Sequence, residues 1–296
     1  MNDQRISRRS ALKVLGASFV GLAAAASGLG LASSCSPKKS KRLVFFFTGT
    51  GNSLYVARQL AQEGTEPLSI AQEVHNENPV YEADEIGFVF PVYFFKAPAI
   101  VHEFFERSTF QADYFFAVAT YGAMQGTVVE FWDGYTKAQG RPFDYITTLL
   151  MADNYLPYFD MAEQQAMEKN IPENLERIVK EVNRRTKQIG PLSDGRGPGQ
   201  DGTKNETYRA EEIFTVTDAC VACGICTSVC PHKSWSIGAR SAPNGPCERC
   251  MACAQNCPQR AITLQAGERN PNARFRNEHV TLADIIKANA QRQARR

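Results

Sequence analysis

Histidine is scarce in this chain. Only four occur in 296 residues, and His75, His102, His232 and His279 stand far apart, with none of the spacings that hold a metal through imidazole. His102 and His279 read as structural, and His232, beside Cys230 and Pro231, as a surface residue, with tuning of a group held by the adjoining cysteines as the alternative. Excess charge is also lacking. With 33 basic and 31 acidic side chains the net charge is +2, too small to suggest a nucleic-acid partner. The usual nucleotide signatures are absent as well. The turn Thr48-Gly49-Thr50-Gly51-Asn52-Ser53 carries Leu54 where a dinucleotide fingerprint needs its third glycine, and no Gly-Lys-Ser/Thr follows it. No acid–base pair and no basic substrate pocket stands out, which weighs against a stand-alone reductase.

Cysteine, by contrast, is concentrated. Of nine cysteines, eight lie in two runs: Cys220, Cys223, Cys226 and Cys230, each repeated at a constant offset as Cys247, Cys250, Cys253 and Cys257. Both runs read C-x2-C-x2-C-x3-C-P, the spacing of bacterial two-cluster ferredoxins. Three thiolates at x2 spacing wrap one cubane, while the fourth is displaced by an extra residue and serves the other. The expected ligand sets are therefore Cys220, Cys223, Cys226 and Cys257 for one 4Fe–4S cluster, and Cys230, Cys247, Cys250 and Cys253 for the second. Disulfides fit these spacings poorly, and zinc ligands come as pairs split by a longer gap. Pro231 and Pro258 should stop the short helical turn leaving each run, and Gly224 should leave the backbone unhindered beside the cluster sulfides.

Two further segments suggest an address. Ser7-Arg8-Arg9-Ser10-Ala11-Leu12-Lys13 precedes an uncharged, Ala/Gly-rich run from Val14 to Ser34, as in a twin-arginine export signal. That route carries folded cargo, which suits clusters assembled in the cytoplasm. Leu31-Ala32-Ser33-Ser34-Cys35 resembles a lipobox, so the ninth cysteine is a lipid-attachment candidate, with nearby cleavage or an uncleaved membrane anchor as alternatives. The expected location is the periplasmic or extracytoplasmic face of the membrane, with Lys38, Lys39, Lys41 and Arg42 as a solvated tether.

Between these ends, strands and helices alternate. Strands are expected at Leu43–Phe47, Pro67–Ala71, Glu85–Phe90, Tyr114–Thr120 and Phe143–Met151. Helices are expected after Ser53, at Pro98–Arg107, at Thr127–Gln139 and at Pro172–Ile189, whereas Gln72–Asp84 is too short for a full helix. The pattern implies an α/β fold, a doubly wound parallel sheet in the order 2-1-3-4-5. The lysine-free loop Thr48–Ser53 suits a terminal monophosphate, held by backbone N–H groups and the hydroxyls of Thr48, Thr50 and Ser53. Two later strand tips, Pro91-Val92-Tyr93-Phe94-Phe95-Lys96 and Thr120-Tyr121-Gly122-Ala123-Met124-Gln125-Gly126, would form a slot for a flat ring. Tyr93 and Tyr121 are its favoured aromatics, and Phe94 and Phe95 could equally be core.

The Thr-Gly-Thr-Gly-Asn-Ser loop, the Gly87–Phe94 segment and Ala119-Thr120-Tyr121-Gly122 resemble the flavodoxin family. From Arg42 onward the chain is similar to flavodoxin-domain ferredoxins of the EFR type, and Arg274–Asn277 through Val280–Leu282 resemble that family as well. The resemblance implies FMN, with its phosphate on Thr48, Gly49, Thr50, Gly51, Asn52 and Ser53. Its ring would lie between Pro91, Val92, Tyr93 and Phe94 on one side and Thr120, Tyr121, Gly122 and Gly126 on the other. The expected organisation is a signal over 1–35, a tether over 36–42, a flavodoxin-like domain over 43–190 and a structureless Gly/Pro-rich linker over 191–212. A small α+β ferredoxin-like domain for both clusters follows over 213–267, then a tail and helix over 268–296. In that helix Thr281 and Asp284 form a cap, and Leu282, Ile285 and Ile286 a docking stripe. Electron transfer with a redox partner protein is the expected role. An FMN-dependent reductase of a small molecule or quinone, and a flavin-free cluster subunit of a membrane complex, are the alternatives.

Overall fold

The computed structural model describes residues 40–193 and 203–290; the twin-arginine segment, Cys35 and the last six residues lie outside them. Six parallel strands form the main sheet. These are β1 (Arg42–Phe46), β2 (Leu68–Ser69), β3 (Glu85–Pro91), β4 (Tyr114–Tyr121), β5 (Tyr145–Leu150) and β6 (Gln188–Ile189), in the spatial order β2-β1-β3-β4-β5-β6. The order is 2-1-3-4-5 with one added edge strand, a flavodoxin-like arrangement. Helices α1 (Asn52–Leu60), α2 (Ala99–Arg107), α3 (Val128–Ala138) and α4 (Ile171–Asn183) cover it. β3 and β4 read as near-continuous apolar runs because both of their faces are buried, as parallel strands require. Phenylalanine fills the layer under α2 and α3: Phe105 and Phe143 stand edge-on to Trp132, and Phe110 edge-on to Phe88 and Phe104. At Gly87 a β-carbon would fall 2.0 Å from the Phe116 ring, so only glycine lets that ring lie flat on the neighbouring strand.

Three expectations need correction. The helix predicted over Pro172–Ile189 ends at Asn183. Arg185 then takes a left-handed conformation at φ 50°, and its guanidinium reaches Glu85 at 2.8 Å. Glu85 already holds buried Arg42 at 2.5 Å, so the chain turns back and Gln188–Ile189 joins the sheet edge. The second strand shrinks to two residues because Ile70 opens a single helical turn, Ile70–Glu73. The linker expected to stay structureless through residue 212 also ends early. Tyr208–Arg209 pairs with Pro246–Cys247, and Ala210–Ile213 forms a helical turn.

The small module is a sequence repeat made visible. Phe214–Val216 pairs with Ile262–Leu264, and Trp235–Ile237 with Ser241–Pro243, both antiparallel. Between them each cysteine run takes the same path. Left-handed residues fall at Ala222, Gly224 and Lys233 in the first half and at Arg249, Met251 and Arg260 in the second, separated by the offset that separates the cysteines. After each run an amide donates to the last cysteine: Ser234 N–H to Cys230 Sγ at 3.4 Å, and Ala261 N–H to Cys257 Sγ at 3.3 Å. Gly224 is needed for its φ of 78° and not for room, since a β-carbon there would meet nothing within 4 Å.

The chain then returns across the large domain. The helix Leu282–Asn289 opens on a capping box between Thr281 and Asp284 and buries Ile285 and Ala288, while Leu282 and Ile286 are half-buried. Asp284 also binds Arg58 of α1 at 2.5 Å. No helix among the described residues is long and apolar enough to cross a membrane.

Candidate redox site

The loop after β1 delivers an uncapped helix start. α1 begins at Gly51, which has φ 104° and no side chain to cap with, so the first-turn N–H groups point outward without intrahelical acceptors. Thr48 Oγ1 accepts from Gly51 N–H at 3.0 Å, and Thr50 Oγ1 accepts from Asn154 Nδ2 at 3.0 Å, so both hydroxyl protons stay available to a ligand. Ser53 Oγ lies 2.9 Å from Thr120 Oγ1. Thr48, Gly49, Thr50, Asn52 and Ser53 line one cavity of about 360 Å³ with Pro91, Val92, Tyr93, Thr120, Tyr121 and Gly122. Ala152, Asp153 and Asn154, beyond β5, close it.

A wider aromatic groove of about 810 Å³ opens from the same place, sharing Val92, Tyr93, Asp153 and Asn154, and adding Phe94, Phe95, Met124, Tyr155, Tyr158, Phe159 and Arg249. Phe94 and Phe95 are not core. They occupy consecutive left-handed positions, φ 47° and 68°, and Phe94 is exposed at the groove wall. Tyr93 stands edge-on to Phe47, with a buried hydroxyl that has no hydrogen-bond partner. Burial, and then the neighbouring Cys250 sulfur, hold that phenol far above the ordinary tyrosine range, so it remains a donor. Burial also raises the Asp153 carboxyl, partly offset by backbone N–H groups.

Two expected FMN-site residues, Gly51 of the phosphate loop and Gly126 of the ring slot, are not among those lining the cavity. Gly51 faces the returning tail, where a β-carbon would lie 2.9 Å from Val280 Cβ. Gly126 backs onto Phe95, with 2.5 Å between its would-be β-carbon and Phe95 Cβ. Each serves packing, so neither borders the cavity.

The eight thiols of the small module surround two other cavities. Cys220, Cys223, Cys226 and Cys257 line one of about 290 Å³. Cys230, Cys247, Cys250 and Cys253 line a second of about 320 Å³. No disulfide joins these eight. No group of three or more His, Cys, Asp or Glu side chains among the described residues closes to the size of a single metal ion. Four sulfurs around each space are the donor set a 4Fe–4S cluster takes.

The two spaces differ in dryness. Around the second, burial pushes Cys247 up to about 12 and Cys250 and Cys253 well above the ordinary thiol range. A thiolate there would need a bound cation as its counter-charge. Around the first, Cys223 is exposed and the Ser241 backbone N–H lowers Cys220. The Ser241 hydroxyl also lies 3.3 Å from Cys226 Sγ.

The second space abuts the phosphate-type loop. A β-carbon on Gly49 would fall 2.3 Å from the Cys250 carbonyl oxygen, so loop and cluster run touch backbone to backbone. Asn154 spans the seam, donating to Thr50 Oγ1 and, at 3.3 Å, to the Cys250 carbonyl. Asn289 closes it from behind, donating to the Thr48 and Val229 carbonyls at 3.3 and 3.0 Å. Buried Glu248 ties the cluster loop to α2, accepting from the Ala99 and Ile100 N–H groups at 3.0 and 2.8 Å. His232 is half-buried, with its Nε2 3.1 Å from the same carboxylate, beside the second space. His279 stacks on Tyr55, and His102 is buried under α3.

Comparison with known proteins agrees in part. The 4Fe-4S binding domain family matches residues 213–235, which hold the whole first cysteine run. The chain therefore carries a 4Fe–4S ferredoxin motif, which implies iron–sulfur electron transfer. No curated protein sequence matches. Among solved structures, a protein of Bacteroides uniformis ATCC 8492 assigned as a flavoprotein aligns at a TM-score of 0.33 and 18% identity, over 48% of this chain and 99% of its own. That alignment is too loose to carry an argument; the flavodoxin-like fold stands on the strand order itself.

Proposed function

We propose that this protein passes electrons between FMN, held by the loop Thr48–Ser53 and the aromatic groove, and two 4Fe–4S clusters in the small module. The observation that carries the proposal is the contact of Gly49 with Cys250, which puts the phosphate-type loop against the run that would hold the second cluster. The residues suit FMN: an uncapped helix start, two threonine hydroxyls free to donate, a buried and unpartnered Tyr93 hydroxyl, and an adjoining groove lined by aromatic rings. When bound, FMN would exchange one or two electrons, whereas each cubane carries one. Electrons would pass between the flavin and the more buried cluster, and between that cluster and the one beside exposed Cys223, where a redox partner protein can approach.

Anaerobically prepared protein should contain about eight irons and about one FMN per chain, and reduced protein should hand single electrons to an acceptor. Full iron without FMN would replace this proposal with a flavin-free cluster subunit. The openness of the groove, with Met124 and Tyr158 exposed at its mouth, favours a second use as a reductase site for a flat small molecule. Turnover with a quinone in the absence of any partner protein would establish that use.

Export by the twin-arginine route, with lipid attachment at Cys35 or retention of the leader as an anchor, is proposed from Arg8, Arg9 and the lipobox-like residues. Changing Arg8 and Arg9 together to Lys should hold the protein in the cytoplasm. Continued export of that variant would contradict the route.

A further inference from the structure

We propose that Arg249, although it sits between two cluster cysteines, is a flavin-binding residue, so that the cluster module completes the flavin site. This rests on the FMN proposal above and deepens it. Arg249 lies between Cys247 and Cys250, and the obvious role for a cation there is to offset cluster charge. Its side chain goes the other way. Glu248, Cys250 and Met251 line the cavity of the second four-thiol set, but Arg249 does not; it lines the aromatic groove with Tyr93, Phe94 and Tyr155.

Its guanidinium is held by two aromatic rings. It lies 3.6 Å from the Tyr208 ring centroid and 5.3 Å from that of Phe94, two cation–π contacts that keep it at the groove. Its Nε is buried without a hydrogen-bond partner. Among the described residues no carboxylate pairs with it. Asp153, the acid in the same groove, is held by backbone N–H groups, as its bond from Tyr155 N–H at 2.9 Å illustrates.

A stacked guanidinium with a free, buried donor lacks an acceptor, and a carbonyl or anionic edge of a flat ligand would supply it. The pyrimidine edge of a flavin offers carbonyl oxygens and gains negative charge on reduction. Arg249 would therefore strengthen FMN binding and favour the reduced flavin.

The test compares Arg249→Met and Arg249→Lys with wild type after anaerobic cluster loading, measuring iron content, FMN affinity by fluorescence titration, and the flavin midpoint potential. Arg249→Met is expected to bind FMN about tenfold more weakly and to lower the flavin potential, with Arg249→Lys between it and wild type. Wild-type affinity and flavin potential in Arg249→Met would overturn the inference, as would a change confined to the cluster potentials.

Because the variant could lose iron, wild-type protein is also treated with phenylglyoxal, with and without FMN, and mapped by mass spectrometry. FMN should protect Arg249, and equal modification in both samples would overturn the proposal. Failure of wild type to bind FMN removes the function proposal and this inference with it, whereas tight binding by Arg249→Met removes the inference alone.

Discussion

At the scale of single residues, polar atoms without partners are the most informative. Tyr93→Phe removes a buried hydroxyl that bonds nothing in the protein, so fold stability should change by less than about 0.5 kcal/mol. FMN affinity should fall severalfold, which a fluorescence titration measures. His102 shows the opposite use of burial. Neither ring nitrogen has a partner, and burial under Phe131, Trp132 and Tyr135 lowers its pKa to about 4. The unfolded chain, with an ordinary histidine near 6.5, takes up the proton first, so stability is complete above about pH 6.5 and declines as pH falls from there toward 4. Denaturation at pH 7.5 and 5.5 should show this slope, about 1 kcal/mol per pH unit at its steepest, and His102→Phe should flatten it. Asn154 and Asp153 are missed when only the tips of β3 and β4 are read for ligand residues. The rule that ligands gather at strand carboxyl ends applies equally to Met151-Ala152-Asp153-Asn154 after β5. Arg249 carried no such signal, since a residue inside a cysteine run reads as part of the cluster loop.

At the scale of elements, what the sequence repeated, the backbone repeats. The constant cysteine offset predicts two equivalent loops, and the left-handed positions at Gly224 and Met251 obey it even though only one is glycine. Gly224→Ala meets no steric obstacle, so it should cost only about 1 kcal/mol of backbone strain and keep full iron, as thermal bleaching of the cluster absorbance would show. Where the elements departed from expectation, tertiary contacts overrode local pattern. The apolar positions Leu175, Ile178 and Val182 make α4 legible, but its end is set by the pull of Glu85 on Arg185, which no local signal encodes. The Gly/Pro-rich linker is legible by composition, yet Tyr208–Arg209 becomes a strand only because Pro246–Cys247 offers an edge.

At the scale of the whole molecule, the large sheet and the cysteine module meet on the loop that would hold the flavin phosphate. Sequence foretold both modules but not their contact, which depends on Gly49, Asn154, Glu248 and Asn289, each unremarkable where it stands in the chain. Gly49→Ala drives a methyl group into the Cys250 carbonyl and should cost about 1–3 kcal/mol. It should also slow electron exchange between flavin and clusters while leaving the iron content intact, as stopped-flow absorbance would record. Low-temperature EPR of the anaerobically reduced protein is the most direct test of the central claim. Two cubanes in one small module predict signals integrating to about two spins per chain, broadened by mutual interaction. A single isolated spin, or a signal that Cys247→Ser leaves unchanged, would contradict it.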